Sequence, residues 1–312
     1  MKKVMIITIA VLGAVLLIVL LSKLNTTWSE PSGSAGFVEE GTGAVRFTDK
    51  VSLSGISLVN GSDEGKYRIR YLSSVDKAYY DGLVRKYGAG NVKLKTIIFP
   101  LKYVTTGMTV EQLTANEKKF LEVLPLNTFA EQGDTYTFAG GINNIAESNY
   151  NLPFIGYGMI EINGGEIRYY PKEFDFEHSN LWRSAAVSVA AAGDGTGTVS
   201  LRYYVSTRAT LYSSCVNEYG AERVLVKIAV SSPEDVRKAG GETLEKLDQL
   251  NPKPEYPVET CNSSAKLVND VIYAFYLEVS PFPESDLGKD FCPIGVMEIT
   301  DDTGAVVRRI YR

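Results

Sequence analysis

One histidine, His178, is all the chain has in 312 residues. A hydrolytic Ser-His-Asp relay or a histidine-bound zinc needs imidazole at set places, so this scarcity argues against both. Cysteine is nearly as rare: Cys215, Cys261 and Cys292 are too few for a disulfide framework and do not have the spacing of a metal site. In an oxidising compartment one disulfide can form, Cys261 with Cys292 being the first choice, and buried thiols are the alternative. Phosphate-binding loops, dinucleotide fingerprints and nucleophile elbows are missing too. Positive charge is in deficit. All 37 acids follow residue 24 while three of the 32 lysines and arginines lie at or before residue 23, leaving a net charge of −8 on the remainder. Nucleic acid and anionic membrane surfaces call for clustered Lys and Arg, so neither is an expected partner.

What the chain does have starts at once. Val4–Leu21 is a run of eighteen residues with no charge and one polar side chain, Thr8. As a helix it covers roughly 27 Å, enough to cross a bilayer core. Lys2 and Lys3 precede it and Lys23 follows, which leaves the short N-terminus in the cytoplasm and everything after it outside. Leu-Ser-Lys-Leu-Asn after the run does not suit a signal peptidase, so residues 1–24 are expected to be an uncleaved transmembrane signal anchor. If the segment is removed instead, the rest is secreted. Residues 25–45, rich in Ser, Gly, Thr and Glu, are expected to form a flexible linker.

Beyond the linker the sequence repeats. Ile69–Val92 matches Leu201–Val224 without gaps at an offset of 132, with nine of 24 positions identical, among them Arg70/Arg202, Tyr71/Tyr203, Tyr80/Tyr212 and Gly88/Gly220. Tyr136–Ile162 matches Tyr273–Ile299 at an offset of 137, with eight of 27 identical, including Phe154/Phe291, Gly158/Gly295 and Glu161/Glu298. Offsets that differ by five define one unit of about 130 residues present twice, expected as domains at 46–180 and 181–312.

Within the unit, alternating Tyr67, Ile69 and Tyr71 predict a strand, and Tyr80, Leu83, Val84 and Tyr87 fall at helical spacing. Ser73 with Asp76 resembles a capping box, and Gly88 is placed to stop the helix. Val92–Phe99 has strand composition, and a second helix is expected from Thr109 to about Val123. Strand pairs close the unit, turning at Asn163-Gly164-Gly165 and, in the second copy, at Asp301 to Gly304. The expected class is therefore α+β: two tandem copies of a strand-helix-strand, helix, antiparallel-strand domain after a transmembrane helix. Ala185–Ala192 fits either a helix closing the first copy or a strand opening the second.

Residues 66–104 and 136–162 carry Arg70-Tyr71, Asp76 to Tyr80, Thr96 to Pro100, Asn149-Tyr150 with Phe154, and Gly156 to Gly158 in that order. This succession resembles an uncharacterised module of large surface proteins in Gram-positive, often gut-dwelling, bacteria. The resemblance implies surface display and little else, since no catalytic activity is assigned to the module itself. Lys95 stands where that module usually has glycine, and the second copy has Asp286-Leu287 in place of the Asn-Tyr pair.

Glu173, Asp175 and Glu177, spaced two apart, would share one face of a strand and could hold calcium; no other cofactor is expected. Phe174 and Phe176 between them equally fit a half-buried strand. Tyr150, flanked by Asn149 and Asn151, is the tyrosine best placed in a loop to meet a ligand, with Trp182 as a second aromatic candidate. The duplicated acids Glu147/Glu284 and Glu161/Glu298 fit solvated positions better than a general-acid role. The sequence thus points to a membrane-anchored, non-catalytic binding or structural protein outside the cytoplasm, recognising glycan or a surface protein through loops at 143–153 and 171–183. A non-catalytic subunit of an envelope complex is the alternative, and a carboxylate-dependent hydrolase ranks third.

Overall fold

A computed structural model describes residues 43–103, 121–123, 129–175, 181–191, 199–241, 243–252 and 258–311. The expected anchor at 1–24 and nearly all of the 25–45 linker lie outside the described residues, as do Glu177, His178 and most of the helix expected from Thr109. Among the described residues no helix is long and apolar enough to cross a membrane.

The first half contributes β1 (Ala44–Thr48), β2 (Val51–Asn60), β3 (Tyr67–Asp76), α1 (Lys77–Tyr87), β4 (Val92–Pro100), β5 (Leu121–Val123), β6 (Ala130–Gln132), β7 (Thr135–Ile142), β8 (Phe154–Ile162) and β9 (Ile167–Pro171). The second contributes β10 (Leu181–Ala191), β11 (Val199–Arg208), α2 (Ala209–Tyr219), β12 (Val224–Ser231), α3 (Pro233–Ala239), α4 (Leu244–Asp248), β13 (Val258–Thr260), β14 (Lys266–Val268), β15 (Ile272–Phe282), β16 (Cys292–Thr300) and β17 (Val306–Ile310). Seventeen strands and four helices among the described residues overturn the α+β expectation: the protein is mainly β, built from curled sheets. The helices foretold by the repeat, α1 and α2, are single eleven-residue pieces and do not form a layer of their own.

Local chemistry explains the element ends. The cap of α1 is Asp76, whose carboxylate accepts from the Tyr79 N–H at 2.7 Å, and Ser73 is still strand, opposite Phe138 of β7. Ser232 caps α3 from Asp235, with Pro233 at its first turn, and Thr243 caps α4 from Lys246. The helix expected to reach Val123 does not include Leu121–Val123, which form a strand against Thr96–Ile98.

Two sheets face each other in each half. In the first, β2-β3-β7-β6 packs over β4 and β8, burying Val51, Val75, Val92, Leu94, Phe138 and Ile160. In the second, β11 and β15 pack over β13-β12-β16-β17, burying Val205, Val226, Phe275 and Met297. The layers touch closely enough that a β-carbon on Gly158 would lie 2.6 Å from that of Ser73, and one on Gly295 would lie 2.6 Å from a Val205 methyl. That proximity accounts for the recurrence of this glycine.

The halves share a sheet. The stretch Ala185–Ala192, ambiguous in sequence, falls largely in β10, which pairs with β11 on one side and with Phe154 and Ile155 of β8 on the other. One nine-stranded sheet therefore runs β1-β9-β8-β10-β11-β15-β14, with β4 and β5 beyond β8. The reverse junction exists as well. Ile56 of β2 exchanges two backbone hydrogen bonds with Phe291, at 2.7 and 2.8 Å. Phe154 opposite Val187 and Phe291 opposite Ile56 are counterparts, so each half reaches into the other in the same manner, around one continuous apolar core.

Candidate functional site

The loop at 143–153 turns inward. Asn151 adopts φ 64°, donates its N–H to Val189 O at 2.7 Å and accepts from the Arg202 guanidinium at 2.7 Å through Oδ1. Its counterpart is Gly288, with φ 87°, an N–H to Leu58 O at 2.8 Å and a carbonyl that accepts from Arg70 at 3.3 Å. Arg70 also bonds Asp290 at 2.9 Å, and Arg202 bonds Glu278 at 2.7 Å while lying over the Tyr276 ring. The recurring arginines and these two left-handed residues thus form a reciprocal clasp between the halves. Tyr150 is half-buried and packs with Leu152 on the shared core, and Leu287 does the same in the other copy. The Tyr150 hydroxyl is buried without a hydrogen-bond partner among the described residues, and burial, followed by the Glu147 charge, raises its pKa. Asn149 donates its N–H to Ala146 O within the same turn. Trp182 lies in β10 opposite Ser206, away from this loop in the register. Asn149, Tyr150 and Asn151 come together as structure, and Trp182 does not join them.

The clasp gives a measurable expectation. Asn151→Gly keeps the left-handed backbone and loses the exposed bond to Arg202, so it should cost about 1 kcal/mol in denaturant unfolding. Asn151→Val adds the strain of a β-branched residue at positive φ and should cost about 2 kcal/mol. Equal effects from the two would remove the backbone argument.

Glu161 and Glu298, expected at solvated positions, are 4 % and 1 % exposed. Lys95 of β4 reaches Glu161 at 2.7 Å, and Lys227 of β12 reaches Glu298 at 2.6 Å. Arg168 stands opposite Glu161 in the β8–β9 register, and Arg309 stands opposite Glu298 in β16–β17. Arg309 bonds Glu298 through Nε at 2.7 Å and carries on to Glu245 of α4 at 2.7 Å, which also takes the Tyr311 hydroxyl. Burial opposes charge on Glu298, but the bonds from Lys227 and Arg309 outweigh it and hold its pKa below the usual carboxylate value. A carboxylate held ionised in this way is unsuited to donate a proton to a leaving group. In the sequence Lys95 stands out only as a departure from the surface module and Lys227 not at all, although extending the first repeat block by three residues aligns them.

Of the acids proposed for calcium, Glu177 lies outside the described residues, and Glu173 and Asp175 do not line up. Glu173 lies in a 3-10 turn at Lys172–Phe174 rather than on a strand, so Glu173 and Asp175 do not share a pleated face. Phe174, fully buried, stacks on Tyr170 at 4.9 Å, the packing role weighed against the metal. No group of three metal-binding side chains occurs among the described residues. Cys261 and Cys292 are not joined either. Cys261 N–H bonds Val226 O, whereas Cys292 pairs with Ser231, five residues further along β12 and on its other side. At about 3.3 Å per residue that is far beyond disulfide reach. Burial raises the Cys261 thiol pKa to about 11, which keeps it unreactive.

The remaining surface feature is at the sheet margins. Six large apolar side chains are exposed among the described residues: Phe47, Phe129, Val258, Leu267, Val306 and Val307. Each lies on, or next to, an edge strand, namely β1, β6, β13, β14 and β17. Edges usually carry charge because their unpaired N–H and C=O groups invite another strand. No sequence pattern short of the topology shows which strands these are.

No protein-family model matches the chain, and no curated protein matches it.

Proposed function

We propose that the chain is a membrane-anchored, non-catalytic protein of the cell surface that contacts other proteins through its strand edges. The observation that carries this is the coincidence of exposed apolar side chains with strand edges that are unpaired among the described residues. An edge offers backbone hydrogen bonds and an apolar side chain offers area, the two ingredients of recognition by strand addition. The loop that was the candidate for glycan is occupied by the clasp, which favours a protein partner. The apolar run Val4–Leu21 and its flanking lysines support the anchor and the outward orientation, and the resemblance to surface modules agrees with display there.

Fractionation of cells making the full-length chain tests the placement. The protein should stay with membranes through an alkaline wash, and protease added to cells with an opened outer envelope should digest the part after residue 24. A chain recovered from the medium with a new N-terminus beyond the apolar run would show a removed signal, and protection from the protease would refute the orientation.

A further inference from the structure

The two halves meet through the same surface used twice. Asn151 and Gly288, counterparts at an offset of 137, each donate an N–H across the junction, to Val189 O at 2.7 Å and to Leu58 O at 2.8 Å. Those acceptors are counterparts in turn, because Val189 stands opposite Leu201 and Leu58 opposite Ile69, the paired first residues of the repeat. Two residues before them, Val187 meets Phe154 and Ile56 meets Phe291. These contacts from half one to half two are matched by their counterparts from half two to half one, which is the rule of a two-fold, isologous interface between identical subunits. Behind the strand contacts, Ile56, Leu58, Phe154, Val187 and Val189 are buried in one apolar cluster to which both halves contribute. An apolar core divided between partners is what permanent dimers have. None of these contacts involves the link at 176–180.

We propose that each half carries a docking surface for another copy of the repeat unit, and that this surface, not the covalent link, holds the halves together. Within one chain the two surfaces satisfy each other. Between chains, half one of one copy takes half two of another with the same bonds, since the contacts do not depend on which chain supplies each side. Arg70 is the unequal member: it reaches Gly288 O and Asp290, both across the junction, whereas Arg202 reaches Asn151 across it and Glu278 on its own side.

The test uses the full-length chain in mild detergent with a protease recognition sequence inserted at 176–180, cut after folding. The two pieces should stay together on size separation, with the amides of Ile56, Asn151, Gly288 and Phe291 still protected from hydrogen exchange. Once the link is cut, the denaturant midpoint should rise with protein concentration, as it does for separate molecules that fold on each other, whereas that of the uncut chain should not. Labelled and unlabelled cut chains, unfolded together and refolded, should give hybrids of one labelled and one unlabelled piece. Arg70→Ala should weaken association of the cut pieces roughly tenfold, Arg202→Ala less. Arg223→Ala, whose partner Asp302 lies in the same half, should leave it unchanged. Pieces that part on cutting, a midpoint indifferent to concentration, refolded molecules without hybrids, or a larger effect at Arg202 than at Arg70 would overturn the proposal. Size separation of the cut wild type decides independently of how the variants fold.

Discussion

Glu161→Ala is expected to destabilise the protein by about 4 kcal/mol and Glu298→Ala by about 3 kcal/mol, because each takes the carboxylate of a buried ion pair away from the cations beside it. The difference follows from exposure. Lys95, left behind in the first case, is 12 % exposed, and the Arg168 opposite is buried, so neither cation regains full hydration. Lys227 is 29 % exposed and Arg309 keeps Glu245, so the second site recovers part of the loss. Equilibrium denaturation of the two variants measures this, and near-neutral effects at both would show that the pairs contribute no net stability. Acid adds a second readout at Glu298. Its folded pKa is lowered from 4.5, so the stability it contributes is present above 4.5 and is lost as pH falls through the lower folded value. The gap between wild type and Glu298→Gln should therefore close in acid, whereas a gap that widens there would give the shift the wrong sign.

Gly295→Val is expected to cost about 3 kcal/mol, near the upper end for overpacking, and Gly158→Val a similar amount. A β-carbon at 295 meets Val205 at 2.6 Å, and one at 158 meets both Ser73 at 2.6 Å and the Phe138 ring at 2.8 Å. Neither neighbour can retreat, since Val205, Ser73 and Phe138 are themselves buried between the layers. Ala at these positions should cost less than Val, in proportion to the volume added. Tolerance of Val at both would mean that the two sheets lie further apart than described.

Much of the local structure was legible in the sequence because it depends on short-range signals. Period-two alternation gave β3, helical spacing with Gly88 gave α1, and Asn163-Gly164-Gly165 marked the turn after β8. The repeat itself was legible, and with it the residues that recur. Their roles were not, because a recurring side chain can serve a ligand, a core or a partner half. Arg70 and Arg202 recur because each holds the loop of the other half, a relation 218 residues apart for Arg70 and Gly288. Glu161 and Glu298 looked solvated because strand β8 reads as an apolar run with one acid, and burial on both faces cannot be told from burial on one without the sheet order. The class was misjudged for a related reason. The helix signals were real, but eleven-residue helices beside seventeen strands do not set the architecture. Ala185–Ala192 stayed ambiguous since small apolar residues suit a fully buried strand and a helix alike. The edges were invisible because edge status belongs to pairing, and pairing is non-local.

The central claim is that this protein meets other proteins at its strand edges and not through the loop at 143–153. A photo-activated cross-linking residue placed at Val307 of the full-length chain, and in a parallel sample at Ser148 on the exposed side of that loop, tests it in intact cells. The account predicts a discrete protein adduct from position 307 and none from 148. An adduct from 148 with silence at 307 would contradict it.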